Sequence, residues 1–125
     1  MHADSFRLKA DDGVDLHVHR WLPDGAPRGV LQIAHGLAEH AARYGRLAQA
    51  LTAQGFAVYA NDHRGHGQTA PSGDHGFFAE REGWRKCVGD LCTLNRRIAA
   101  DHPGLPIILL GHSMGSFMAQ DFVAD

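Results

Sequence analysis

No stretch of this chain approaches the roughly 18 continuous apolar residues of a membrane-spanning helix. The opening residues Met1-His2-Ala3-Asp4-Ser5-Phe6-Arg7 lack the apolar core of a secretory signal. Cysteine is scarce. Cys87 and Cys92 stand five apart in an expected helix, which puts them on different faces. Neither a disulfide nor a shared metal follows, so reduced thiols in a cytoplasmic setting are expected. An excess of one charge is also missing: 12 Lys and Arg stand against 14 Asp and Glu, for a formal net charge of −2. Without a basic footprint, nucleic acid and anionic membrane are disfavoured as partners. Repeats, low-complexity segments and shifts in composition are absent as well, so the 125 residues are expected to form a single domain unit. The remainder is ordinary for a globular protein, with 44% hydrophobic and 21% charged residues.

The pattern of apolar residues predicts alternating strands and helices. Residues 5–10 and 14–22 read as a β-hairpin that turns at Asp12-Gly13. Val14, Leu16 and Val18 alternate with Asp15, His17 and His19, the period of a half-buried strand, until the phase breaks at Arg20-Trp21. Residues 29–34 predict a buried strand. A helix over 43–54 gathers Tyr44, Leu47, Ala48 and Leu51 on one face, with Gly55 at its C-terminal cap. Residues 56–60 predict the next strand, and a loop rich in Gly and His follows to Gly76. A second helix over 80–100 places Trp84, Cys87, Val88, Leu91, Leu94 and Ile98 at helical spacing, and Pro103-Gly104 ends it. Phe77-Phe78 beside it is assigned to core packing ahead of lipid contact. A strand at 106–110 and a helix from Ser113 complete the chain. This order predicts a parallel sheet covered by helices, with an antiparallel hairpin at one edge. Strand 106–110 is expected to lack a neighbour on one side, which predicts self-association or pairing through it.

The chemistry concentrates at Gly111-His112-Ser113-Met114-Gly115, a G-x-S-x-G pentapeptide between an apolar strand and a helix. A serine on so sharp a turn stands exposed above the sheet at the positive end of the helix, and Gly111 and Gly115 make room for it. Ser113 is therefore the expected nucleophile of an acyl transfer. The oxyanion needs the amide after the nucleophile, Met114 N–H, and a second from an earlier strand-end loop, assigned to Leu37 beside His35 and Gly36. Each such donor is worth about 3 kcal/mol in the transition state. One thing is lacking again. In enzymes of this kind an acid and then a histidine follow the serine, yet all ten histidines of this chain precede Ser113. The triad acid and histidine are expected outside this chain. His112 adjoins Ser113, but neighbouring side chains at an elbow point apart. His35 and His40 are expected to shape the oxyanion loop by local hydrogen bonds.

Two other readings of Asn61-Asp62-His63-Arg64-Gly65-His66-Gly67 are disfavoured. A metal site from Asp62, His63 and His66 has no rigid helix to set its ligands. Gly65-x-Gly67-x-x-Ala70 fits a dinucleotide fingerprint, but Pro71-Ser72-Gly73 stands where the helix must open. The preferred reading is a tight turn in which Asp62 and Arg64 pair locally. His35…Glu39-His40 has the wrong spacing for a zinc-protease motif.

Together, His35-Gly36-Leu37-Ala38-Glu39-His40, Arg43-Tyr44, the run from Gly55 to Gly67 and Gly111-His112-Ser113-Met114-Gly115 resemble the monoacylglycerol lipase and lysophospholipase branch of the α/β-hydrolases, a group related to the serine aminopeptidases of family S33. The resemblance covers nearly the whole chain. It implies an α/β three-layer sandwich with an eight-stranded, mostly parallel sheet, of which this chain is the N-terminal half, ending after the elbow helix. It also implies hydrolysis of lipid-like carboxylic esters through Ser113, with Leu37 and Met114 as oxyanion donors and no metal or organic cofactor. The rivals are a non-catalytic fragment and another α/β-hydrolase chemistry, such as that of a peptidase or a C–C bond hydrolase. A serine in place of aspartate argues against dehalogenase and epoxide hydrolase chemistry.

Overall fold

A computed structural model describes residues 1–35, 44–64, 83–112 and 114–124. The elements in chain order are β1 (His2–Lys9), β2 (Asp15–Leu22), β3 (Gly29–Ala34), α1 (Gly45–Ala53), β4 (Phe56–Asn61), α2 (Gly83–Asp101), β5 (Ile107–Gly111) and α3 (Met114–Ala124). The strands form one sheet in the order β1-β2-β4-β3-β5. β1 and β2 are antiparallel, and β4, β3 and β5 run parallel to one another. The expected mixed sheet with a hairpin at one edge is thus present. Gly13 and Gly55 take φ values of 89° and 91°, the left-handed region that the turn and the end of α1 require.

Helices cover both faces. Leu94 and Ile98 of α2 pack on Val18, Val30, Ala57 and Tyr59. Ala48 of α1, with Leu51 beside it, packs on Trp21, Ile33, Val58 and Ala60. Ala57 and Tyr59 alternate with Val58 and Ala60 along β4, so the two cores lie on opposite sides of the pleat. This double cover explains Arg20-Trp21. The apolar phase shifts from one face to the other there, while the strand itself continues to Leu22. Trp21 enters the α1-side core, while Arg20 points to the other side and grips Asp4 at 2.9 and 2.6 Å. Cys87 is buried on α2 and Cys92 half-buried, with no disulfide between them, and burial pushes the Cys87 thiol up to about 12.

Buried polar side chains join the layers. Gln32, in the middle of β3, donates to the Leu91 carbonyl at 3.0 Å and accepts from Asn95 at 3.1 Å. Arg64, just past β4, holds Asp90 of α2 through two bonds of 2.7 and 2.8 Å. It also holds Asp12 of the β1–β2 turn at 2.7 and 3.1 Å. Asp62 meanwhile contacts His19 at 3.3 Å. Where the sequence pattern predicts a local Asp62–Arg64 pair, both residues are tied to distant elements, because β4 ends beside β2 and under α2. The Arg64 guanidinium holds the Asp12 carboxyl down to about 2, whereas burial pushes Asp90 up against the pull of the same arginine. The span expected to hold the Gly- and His-rich loop, from residue 65, and the start of the second helix, at residue 80, lie outside the described residues.

Arg64→Met leaves Asp90 buried without its cation. It should cost about 3–5 kcal/mol in urea unfolding, and adding Asp90→Leu should recover most of that loss. A double variant as unstable as the single one would show that the pair is not what holds α2 to the β4 end.

Candidate active site

The parallel strands end flush. Ala34 of β3 sits opposite Gly111 of β5, and Ile33 opposite Ala60 of β4. The segments that begin with His35, Asp62 and His112 therefore leave the sheet side by side. The carboxyl ends of parallel strands are where open α/β sheets bind their ligands.

Two histidines lock the first two of these segments together. The His63 backbone N–H donates to His35 Nε2 at 2.9 Å, and His63 Nε2 lies 3.0 Å from the His35 carbonyl. An amide N–H only donates and a carbonyl only accepts, so His35 carries its proton on Nδ1 and His63 on Nε2. Both side chains are fully buried, with ring centroids 4.0 Å apart. His35 thus makes a structural bond and has no exposed nitrogen for proton transfer. The importance of His63 could not be read from its neighbours in sequence. Its signals are its place two residues past β4 and its membership of the Gly55–Gly67 run that carries the family resemblance. Of the trio Asp62, His63 and His66, Asp62 lies with His19 and His63 with His35, and His66 lies outside the described residues.

At the third segment, His112 N–H donates to the Ala34 carbonyl at 3.1 Å, and Gly115 N–H donates to the His112 carbonyl at 2.9 Å. These bonds tie the end of β5 to β3 and the start of α3 to the end of β5. A Cβ on Gly111 would stand 2.6 Å from the Gly115 carbonyl oxygen and 2.7 Å from Ser116 Cα. A Cβ on Gly115 would collide with the Ala34 carbonyl oxygen and lie 2.5 Å from that of His35. Only glycine lets α3 come this close to β3. Met114 opens α3, so its N–H belongs to the first turn, where helical donors have no partner within the helix. Ser113, Gly36, Leu37 and His40 lie outside the described residues. Beside the junction, Leu109, Gly111, Ser116, Ala119, Gln120 and Val123 line an open groove of about 450 Å³.

Gly115→Ala should lower stability by about 1–3 kcal/mol in urea unfolding. Gly89→Ala on α2, where an added Cβ meets nothing within 4 Å, should raise stability by up to about 1 kcal/mol. Equal effects would mean that α3 does not bear on β3 at Gly115.

The family described as serine aminopeptidase, S33, matches residues 25–125. Monoacylglycerol lipase of Mycolicibacterium smegmatis is 48% identical over 103 residues, which cover 82% of this chain and 35% of that protein. Human monoglyceride lipase is 37% identical over 115 residues, covering 86% of this chain and 34% of that protein. The chain therefore spans about a third of the length of these relatives. Among solved structures, a thermostable carboxyl esterase from Bacillus coagulans in complex with glycerol superposes with a TM-score of 0.90 at 32% identity, covering 99% of this chain and 40% of that one. With the parallel sheet, its two helical layers and the glycine-flanked turn at 111–115, these matches show that the chain belongs to the serine aminopeptidase S33 family of α/β-hydrolases, on its monoacylglycerol lipase branch.

Proposed function

We propose that residues 1–125 are the N-terminal part of one α/β-hydrolase domain that cleaves carboxylic esters of the monoacylglycerol or lysophospholipid kind. The observation that carries this reading is the turn between β5 and α3, pressed by Gly115 against the end of β3 beside His35. It has the strand–turn–helix context that a G-x-S-x-G nucleophile elbow demands. Ser113 attacks the ester carbonyl and forms an acyl-enzyme, which water then releases. The oxyanion is held by Met114 N–H, at the first turn of α3, and by Leu37 N–H, two residues past the buried His35. His35 and Gly36 support that loop, as Gly111 and Gly115 support the elbow. The base and its orienting acid are assigned to sequence that the relatives carry beyond the shared third of their length. The names of those relatives supply the lipid-ester class. No helix among the described residues is long and apolar enough to cross a membrane.

A fluorophosphonate probe on the natural protein, followed by intact mass, tests this. The expected result is one adduct, lost in Ser113→Ala, with turnover of a monoacylglycerol falling by about 10⁴- to 10⁶-fold. Labelling that survives the substitution would overturn the assignment of Ser113. Cleavage of aminoacyl amides in preference to esters would instead identify a peptidase.

We also propose that β5 pairs with a further strand. It has one neighbour among the described residues, and Ile108 and Leu110 are 52% and 38% exposed on its α1-side face. Residues 1–125 alone should sediment as an oligomer at high concentration, and Ile108→Lys should shift them towards monomer. A monomeric unaltered chain would contradict this.

A further inference from the structure

Away from the strand ends just described, β2 and β4 bring three ligand-type side chains together. His17 and His19 are alternate residues of β2, so pleating projects both from the α1 face of the sheet. Their rings lie 4.6 Å apart. Asp62 follows the last residue of β4, and its N–H donates to the His17 carbonyl at 2.9 Å, which fixes the carboxylate beside both imidazoles. One oxygen of that carboxylate stands 3.3 Å from His19 Nε2. One ligand atom from each of the three residues lies within 4.8 Å of the others.

We propose that His17, His19 and Asp62 form a site for a zinc-class divalent ion that staples β2 to the end of β4. Bonds of about 2.0–2.2 Å in tetrahedral geometry separate neighbouring ligand atoms by roughly 3.3–3.6 Å. The Asp62–His19 pair already has that spacing, and modest ring rotation brings in His17. Two imidazoles and one carboxylate suit Zn²⁺, whereas Mg²⁺ and Ca²⁺ take oxygen ligands. The Asp62 side chain is 1% exposed and that of His19 13%, so the ion enters from the His19 side and water completes its shell. Sequence proximity pairs Asp62 with His63 and His66. The fold offers it two histidines more than 40 positions upstream, because β2 lies beside β4. Asp62 directly precedes the His63 that grips His35, so a bound ion braces the segment leading to that contact. The site is structural and has no role in the chemistry at Ser113.

Calorimetric titration of the chelator-treated chain with ZnCl₂ tests the site. One equivalent should bind, and His19→Gln should weaken it by at least about tenfold with the far-UV circular dichroism unchanged. His2→Gln, which alters a surface histidine near Asp4, should leave binding as it was. On the unaltered chain, substoichiometric Cu²⁺ should broaden the amide resonances of His17, His19 and Asp62 before those of His2 and His112. This second readout does not depend on any variant folding. Absence of zinc binding, binding that survives His19→Gln, or broadening centred on other histidines would overturn the proposal.

Discussion

The first turn of α3 rests directly on the carboxyl end of β3, and most of the local architecture depends on that contact. Gly115 leaves no space for a side chain against the Ala34 and His35 carbonyls. With α3 seated there, Met118 reaches Ala34, and Cys87, Val88 and Leu91 of α2 close the same cluster. The contact therefore sets the way α2 and α3 share one face of the sheet. A close-packed interior transmits such a constraint, because small displacements have no void to absorb them.

Polar side chains reinforce this arrangement where loops leave the strands. His35, Gln32 and Arg64 are buried, and each hydrogen-bonds a remote element. Their desolvation is offset by those bonds, and any shift of the partner element would leave a polar group stranded. This ties the β3 loop to the β4 loop, β3 to α2, and the β4 loop to both α2 and the hairpin turn. Tyr59, within β4, plays a similar part towards the end of α2. Its hydroxyl lies 2.9 Å from Asp101 and 3.0 Å from His102, and burial pushes its pKa up to about 12. The sheet end carrying His35 and His63 is thus anchored by polar contacts on several sides.

The two faces of β5 differ in a way that β3 and β4 do not. Ile107 packs against the α2-side core, while Ile108 and Leu110 stay open on the other face. Phe117 and Val123 of α3 are also exposed, at 64% and 75%. Among the described residues β5 has one neighbour and one bare face, so its outer edge lies beside hydrophobic surface, a combination that favours addition of another strand.

Element types and order were legible in the sequence because they rest on local rules. The period-two strands, the 3.6-residue spacing of Trp84 to Ile98, Gly55 past α1 and the glycines flanking Ser113 each report a backbone requirement within a few residues. The family could be read there too, since its motifs are contiguous. The sequence alone determined a parallel α/β sheet and the family to which the chain belongs. Only the tertiary structure decided the partners of the polar residues. His35 meets His63, Arg64 meets Asp12 and Asp90, and Asp62 meets His17 and His19, across 26 to 52 positions of chain. The physical reason is that strand order and register, not sequence distance, choose which side chains share a face. That order is set by how α1 and α2 bury opposite sides of one sheet.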